Sequence, residues 1–194
     1  MRPFLISPPL IEPVSLDEAK AWLRQDASDE DDLIQALIVS ARITLETYTR
    51  RFFVTQIWRL AYDAWPLRRI DQGGATMALP FAPLQNVAAI RVYDAAGAAT
   101  TLAPTTYVAP AAGARARLAF LATPPDPGRA VDGIEIDLVL GYGSLASDTP
   151  APLRSAMLML IAQWREHRGD DAGAASLPAG VCALASSFRR ERLT

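Results

Sequence analysis

The sequence holds little of the raw material from which most protein chemistry is built. It contains one cysteine, Cys182, and one histidine, His167. A lone cysteine closes no internal disulfide, and one cysteine with one histidine cannot furnish a four-ligand zinc site. A carboxylate-only magnesium or calcium site stays formally open. Lys20 is the single lysine, so the basic residues are almost all arginine. No uninterrupted apolar run exceeds a handful of residues, which excludes a bilayer-spanning helix. The opening MRPFLISPPLIEPVS is broken by prolines and has no small-residue cleavage site, so no secretory leader is expected. A formal net charge of −2 argues against nonspecific binding of the whole surface to nucleic acid.

What is present is folding information. Of the 194 residues, 51% are hydrophobic and 21% charged, the balance of a folded chain with room for one ordinary core or a small helical domain carrying a sheet. Residues 1–14 read as proline-punctuated extended chain. Ser15 and Glu18 have the spacing of a capping box, which predicts a helix through about Arg24. A second start is expected at Ser28, with Asp29, Glu30, Asp31 and Asp32 in the first turn, where the helix dipole favours negative charge. Leu33, Leu37, Ala41, Leu45 and Tyr48 then recur every three or four residues, with Ile34 and Ile38 beside them, which predicts an amphipathic helix to about Thr49.

From Val54 the period drops to two, with Trp58, Leu60 and Tyr62 alternating with Ile57, Arg59, Ala61 and Asp63, the pattern of a strand. Further short strands are expected at 87–93, 100–102, 107–109, 115–121 and 134–140, separated by turn residues. Helix returns after Asp148. Either Asp148 or Thr149 can cap it, Pro150 or Pro152 fits its first turn, and Leu153, Ala156, Met157, Leu160, Ile161 and Trp164 form its stripe. Gly169 stops it. The expected architecture is α+β. Residues 1–53 and 148–169 form a helical bundle, and 54–147 an inserted antiparallel β sheet or small sandwich. Residues 170–194 are a linker and a separate tail with a helix from about Gly180.

Few residues invite a chemical role. His167 lies at the margin of its helix's apolar stripe, and two readings stand: a packing or interface residue, or the general base of a small hydrolase or nucleic-acid-processing enzyme, with Glu166 or Asp170 beside it. No nucleophile motif accompanies it, since 141–144 is GYGS and not G-x-S-x-G. The glycines of that stretch lack the lysine and spacing of a phosphate loop and read as a turn. The acidic run from Asp26 to Asp32 reads as capping and solvated surface, with a face repelling a polyanion or adventitious cation binding as the alternatives. Trp58, Tyr62 and Trp65 read as core more than as a base-stacking platform. The tail, with Val181, Leu184 and Phe188 apolar and Arg189, Arg190 and Arg192 basic, is either a partner-docking element or a frayed end.

Several segments together carry a resemblance. PVSLDEAKAWLRQDASDEDDLIQALIVSARITLETYTRRFFVTQIWRL, LPFAPLQNVAAIRVYD, GYGSLASDTPAPLRSAMLMLIAQWREHRG and LPAGVCALASSFRRERL, in that order, resemble the head–tail connector (adaptor) proteins of long-tailed bacteriophages and gene transfer agents. The likeness runs from Pro13 to Leu193 and rests on order and spacing, not on any catalytic signature.

The resemblance implies a structural protein and not an enzyme, with no cofactor and no metal. Its expected place is the neck of a virion or phage-like particle, after assembly in the bacterial cytoplasm. It implies a ring of about twelve copies beneath the portal, joined to a stopper or tail terminator below. DNA would pass through the lumen without sequence-specific binding, and no membrane is involved. By the same resemblance the helical bundle builds the ring and the sheet region projects outward or toward the tail. Leu177, Val181, Leu184, Phe188, Arg189, Arg190 and Arg192 are expected to meet the portal. Arg165, Glu166, His167 and Arg168 are expected at a subunit interface, and Asp29, Glu30, Asp31 and Asp32 facing the channel.

Overall fold

A computed structural model describes residues 1–69, 74–110, 116–167 and 177–189. The chain is α+β and divides into two compact units: Met1–Leu10 with Thr55–Tyr142, and Ile11–Val54 with Gly143–Thr194. The first ten residues thus belong with the strands and not with the helices. Arg2–Ser7 form strand β1, because the apolar run Phe4-Leu5-Ile6 between prolines finds an antiparallel partner in β2, Gln56–Tyr62.

Among its described residues the strand unit contains two antiparallel sheets. One has the order β1-β2-β9-β5-β6, where β5 is Leu84–Tyr93, β6 Ala99–Thr101 and β9 Ile134–Leu140. The other has the order β3-β4-β8-β7, where β3 is Arg68–Arg69, β4 Ala75–Ala78, β7 Tyr107–Val108 and β8 Arg117–Phe120. Strand alternation sorts the larger sheet into two faces. Leu60, Leu138, Ile136, Ile134 and Ile90 lie on one face and are completely buried. Burying each such side chain contributes about 1.5–3 kcal/mol. Register places Arg59, Glu135, Asp137 and Arg91 on the other face. Trp58 packs against Phe81 and Trp65 meets Phe120 edge-on at 5.0 Å, so these aromatics are spent on packing. Tyr62 lies beside them in the sequence as a buried residue, and burial pushes its hydroxyl pKa up to about 12.

Among the described residues the second unit has four α-helices: α1 Leu16–Leu23, α2 Asp31–Thr49, α3 Ala151–Glu166 and α4 Ala179–Ser186. The Ser15/Glu18 capping box forms as its spacing predicts, with Glu18 N–H donating to Ser15 Oγ at 3.1 Å and Ser15 N–H to Glu18 Oε2 at 2.9 Å. The other expected caps do not form. Helix α2 starts at Asp31 without a side-chain cap, and Thr149 Oγ1 donates to the Phe53 carbonyl at 3.1 Å instead of capping α3. Both α1 and α2 stop at an arginine in the left-handed region, Arg24 and Arg50, where glycine would ordinarily stand.

The buried face of α2 is Ile34, Ile38, Ala41, Leu45 and Thr49, together with Arg42 and Glu46. Leu33, expected in the stripe, is exposed. The tail is also not a separate element. Helix α4 packs on α3, with Val181 and Ala185 fully buried, because its small side chains allow close approach. A Cβ at Gly180 would meet Met159 Cε at 2.7 Å.

Candidate assembly surfaces

Among the described residues no group of three or more His, Cys, Asp or Glu side chains is placed to hold a metal ion. The His167 ring is exposed, its backbone caps α3, and its Nδ1 lies 3.1 Å from the Gln163 carbonyl of its own helix. The GYGS stretch is a turn. Gly141 has φ +120, which favours glycine, and at Gly143 a Cβ would collide with the Asp148 carboxylate, whose Oδ2 accepts the Leu145 N–H at 2.8 Å.

The residues expected at surfaces fall into three groups. The first is the charged end of α3. Arg165 is turned into its own chain, where its guanidinium binds Glu30 at 2.6 Å and Gln25 at 2.9 Å. That fixes the end of α3 to the start of α2. Glu166 and His167 are exposed, and Arg168 lies outside the described residues.

The acidic segment is the second group. Glu30 is held by Arg165, and Asp31 accepts from Lys20 Nζ at 2.6 Å. Asp29 accepts from Gln25 Nε2 at 3.3 Å, and Asp32 is exposed. Half of the expected channel-facing charge is therefore paired within the chain, because α1 and α3 bring a lysine and an arginine to the start of α2.

The third group is the tail. Val181 is withdrawn from any partner by its burial, while Leu177, Leu184 and Phe188 are half-buried and Arg189 is exposed. Arg51 Nε donates to the Phe188 carbonyl at 2.6 Å, and the Arg189 guanidinium lies 5.1 Å from the centre of the Tyr48 ring. These contacts dock the end of α4 at the C-terminal end of α2. Arg190 and Arg192 lie outside the described residues.

Sequence reasoning missed two features. One is the buried charge on α2. Arg42 donates to Glu12 at 2.7 Å and to Glu46 at 3.0 Å, and Glu46 also accepts the Phe53 N–H at 2.8 Å. Burial pushes the Glu46 pKa up to about 7, against the lowering pull of Arg42. The i, i+4 spacing of Arg42 and Glu46 was visible, but on a surface helix it is an ordinary solvated pair. The other is the exposed apolar edge strand β1, with Phe4, Leu5 and Ile6 about half exposed and Leu10 95% exposed. Pro3 lacks an N–H and so blunts this edge as a template for a further strand.

Residues 13–79 match the family described as phage gp6-like head-tail connector protein. Among solved structures, the chain is similar to one in the neck of an empty gene transfer agent (GTA) particle computed with C6 symmetry. The identity is 30% and the TM-score 0.84, covering 100% of this chain and 98% of that one. It is similar also to a chain in the virion of a native GTA particle, with 29% identity, TM-score 0.83 and the same coverage. A third is in the neck of a native GTA particle computed with C12 symmetry, with 28% identity and TM-score 0.70 over 98% of both chains. No curated protein sequence matches.

Proposed function

Because the chain belongs to the family of phage gp6-like head–tail connector proteins, we propose that it closes a ring beneath the portal of a phage-like particle and carries the DNA channel toward the tail. It is a structural neck component, and its work is geometric: closing a ring, docking on the portal and presenting a platform to the next neck or tail protein. The observation that carries this reading is a likeness over the full chain, at 30% identity, to a protein of a particle neck.

The ring has about twelve copies, so a formal charge of −2 per chain sums to the order of −24 around the axis. Asp29 and Asp32 are the acidic residues best placed to keep DNA from adhering in the lumen, since Glu30 and Asp31 are bound within the chain. DNA passes without sequence-specific reading. The portal contact belongs to the tip of the tail: Leu184, Phe188 and Arg189, with Leu177, Arg190 and Arg192. Val181 anchors the helix beneath them. Glu166, His167 and Arg168 face a neighbouring subunit.

Electron microscopy of the particle neck tests the assignment. The chain should appear as a ring around the axis directly below the portal, and density for it elsewhere would overturn the reading. Reversing Arg189, Arg190 and Arg192 to glutamate should abolish attachment to portal-bearing heads. Normal attachment would remove the tail from the portal contact.

A further inference from the structure

Helix α2 carries two faces, and only one is covered. Opposite its buried residues, Leu33, Ala36, Ser40, Ile43 and Thr47 are all exposed, Leu33 at 38% and Ile43 at 51%. Their spacing alternates between three and four residues, which keeps them in one line along a helix. The two hydroxyls are already satisfied within the helix. Ser40 Oγ donates to the Ala36 carbonyl and Thr47 Oγ1 to the Ile43 carbonyl, each at 2.8 Å. What the line presents outward is therefore carbon.

Charge on this side of the helix is confined to its two ends, at the exposed Asp32 and Arg50. Between Leu33 and Thr47 the charged residues are Arg42 and Glu46, both buried and paired with each other. A helix face left in water ordinarily carries charged or strongly polar side chains. Ala36 and Ser40 at the middle of the line also let another backbone come close.

We infer that this outer face of α2 is where a second copy of the chain packs in the ring. The inference rests on the connector reading and adds the surface that closes the ring. DNA is a poor occupant, because the line offers no cation to a phosphate. A charged partner would leave its own groups desolvated and unpaired against it. A second copy suits it, since similar chains come from particle necks computed with C6 and C12 symmetry, and a closed ring sets copies of one chain side by side. In such a ring one surface of each copy meets a different surface of the next. The α2 line supplies one member of that pair.

Ile43→Arg and Ala36→Arg, introduced singly into the full chain, test this during particle assembly. Leu121→Arg, at a 63% exposed site in the strand unit, serves as control. Both α2 variants should melt like the wild type yet enter necks at least about tenfold less well, while the control enters normally. If wild-type chain forms the neck ring and both variants join it equally well, the α2 assignment is wrong and the connector reading stands. If wild-type chain is absent from the neck, both fall. Should an arginine unfold the protein, a map of the wild-type neck decides. The line must lie within about 4 Å of a neighbouring copy, and a line facing solvent overturns the inference.

Discussion

Arg42 and Glu46 lie one helical turn apart, 3.0 Å between Nη1 and the carboxylate, and both side chains are buried inside the helical unit. Glu12 from the segment before α1 completes the set at 2.7 Å from Arg42 Nε. Burial costs both charges their hydration, and the pair offsets that loss only while both members are present.

Removing Arg42 should therefore be severe. Arg42→Ala leaves Glu46 without its cation and is expected to cost about 3 kcal/mol or more. Chemical denaturation of the full chain checks this, with Glu46→Gln as the milder comparison, since glutamine keeps an acceptor for the Phe53 N–H.

Glu46 also gives a pH dependence of definite sign. Its folded pKa, near 7, lies above the ordinary 4.5, so between these values the folded chain binds more protons than the unfolded one. Its contribution to stability is full below 4.5 and is lost as pH rises through 7. Melting temperature should fall between about pH 5 and pH 8 in the wild type and fall less in Glu46→Gln. An equal slope in both proteins would contradict the assignment.

Asp137 has the opposite sign. Burial raises its pKa, but hydrogen bonds from Arg59 at 2.7 Å and Arg91 at 2.7 Å outweigh that and hold it below the ordinary 3.8. Its stabilisation is present above 3.8 and lost as pH falls through the lower folded value. Asp137→Asn should lower stability at neutral pH by about 2 kcal/mol and weaken the loss in acid. Denaturation at neutral pH and in acid separates this effect from that of Glu46.

Docking of the tail helix can be tested apart from assembly. Val181→Asp places a carboxylate at a fully buried position and should release α4 from α3. Hydrogen exchange at Ala179–Ser186 should accelerate strongly while β9 keeps its protection. Unchanged exchange in α4 would mean that Val181 does not anchor it.

At the charged end of α3 two substitutions should diverge. Arg165→Ala breaks the clamp to Glu30 and Gln25 and is expected to cost about 1 kcal/mol, because the pair is partly solvated. His167→Gln should leave stability unchanged, since its ring is exposed and bonded only within its own helix. Thermal melts of the two variants distinguish them.

The sequence by itself determined what local periodicity and local chemistry can determine. The capping box at Ser15, the stripe from Leu153 to Ile161 and the alternation at 134–140 each fix an element through contacts a few residues apart. The likeness to head–tail connectors was carried by whole segments in their order and spacing, and not by any one of these local patterns. Tertiary structure decided the rest, because those outcomes depend on partners distant in sequence. Phe4-Leu5-Ile6 became a strand only because residues 57–61 were there to pair with it. Val181 became core instead of docking surface because α3 covers it, and Arg165 was drawn inward by Glu30, 135 residues away. Leu33 and Ile34 are neighbours of nearly equal hydrophobicity, yet one is exposed and the other wholly buried. Only the positions of α1, α3 and α4 around α2 could choose between them.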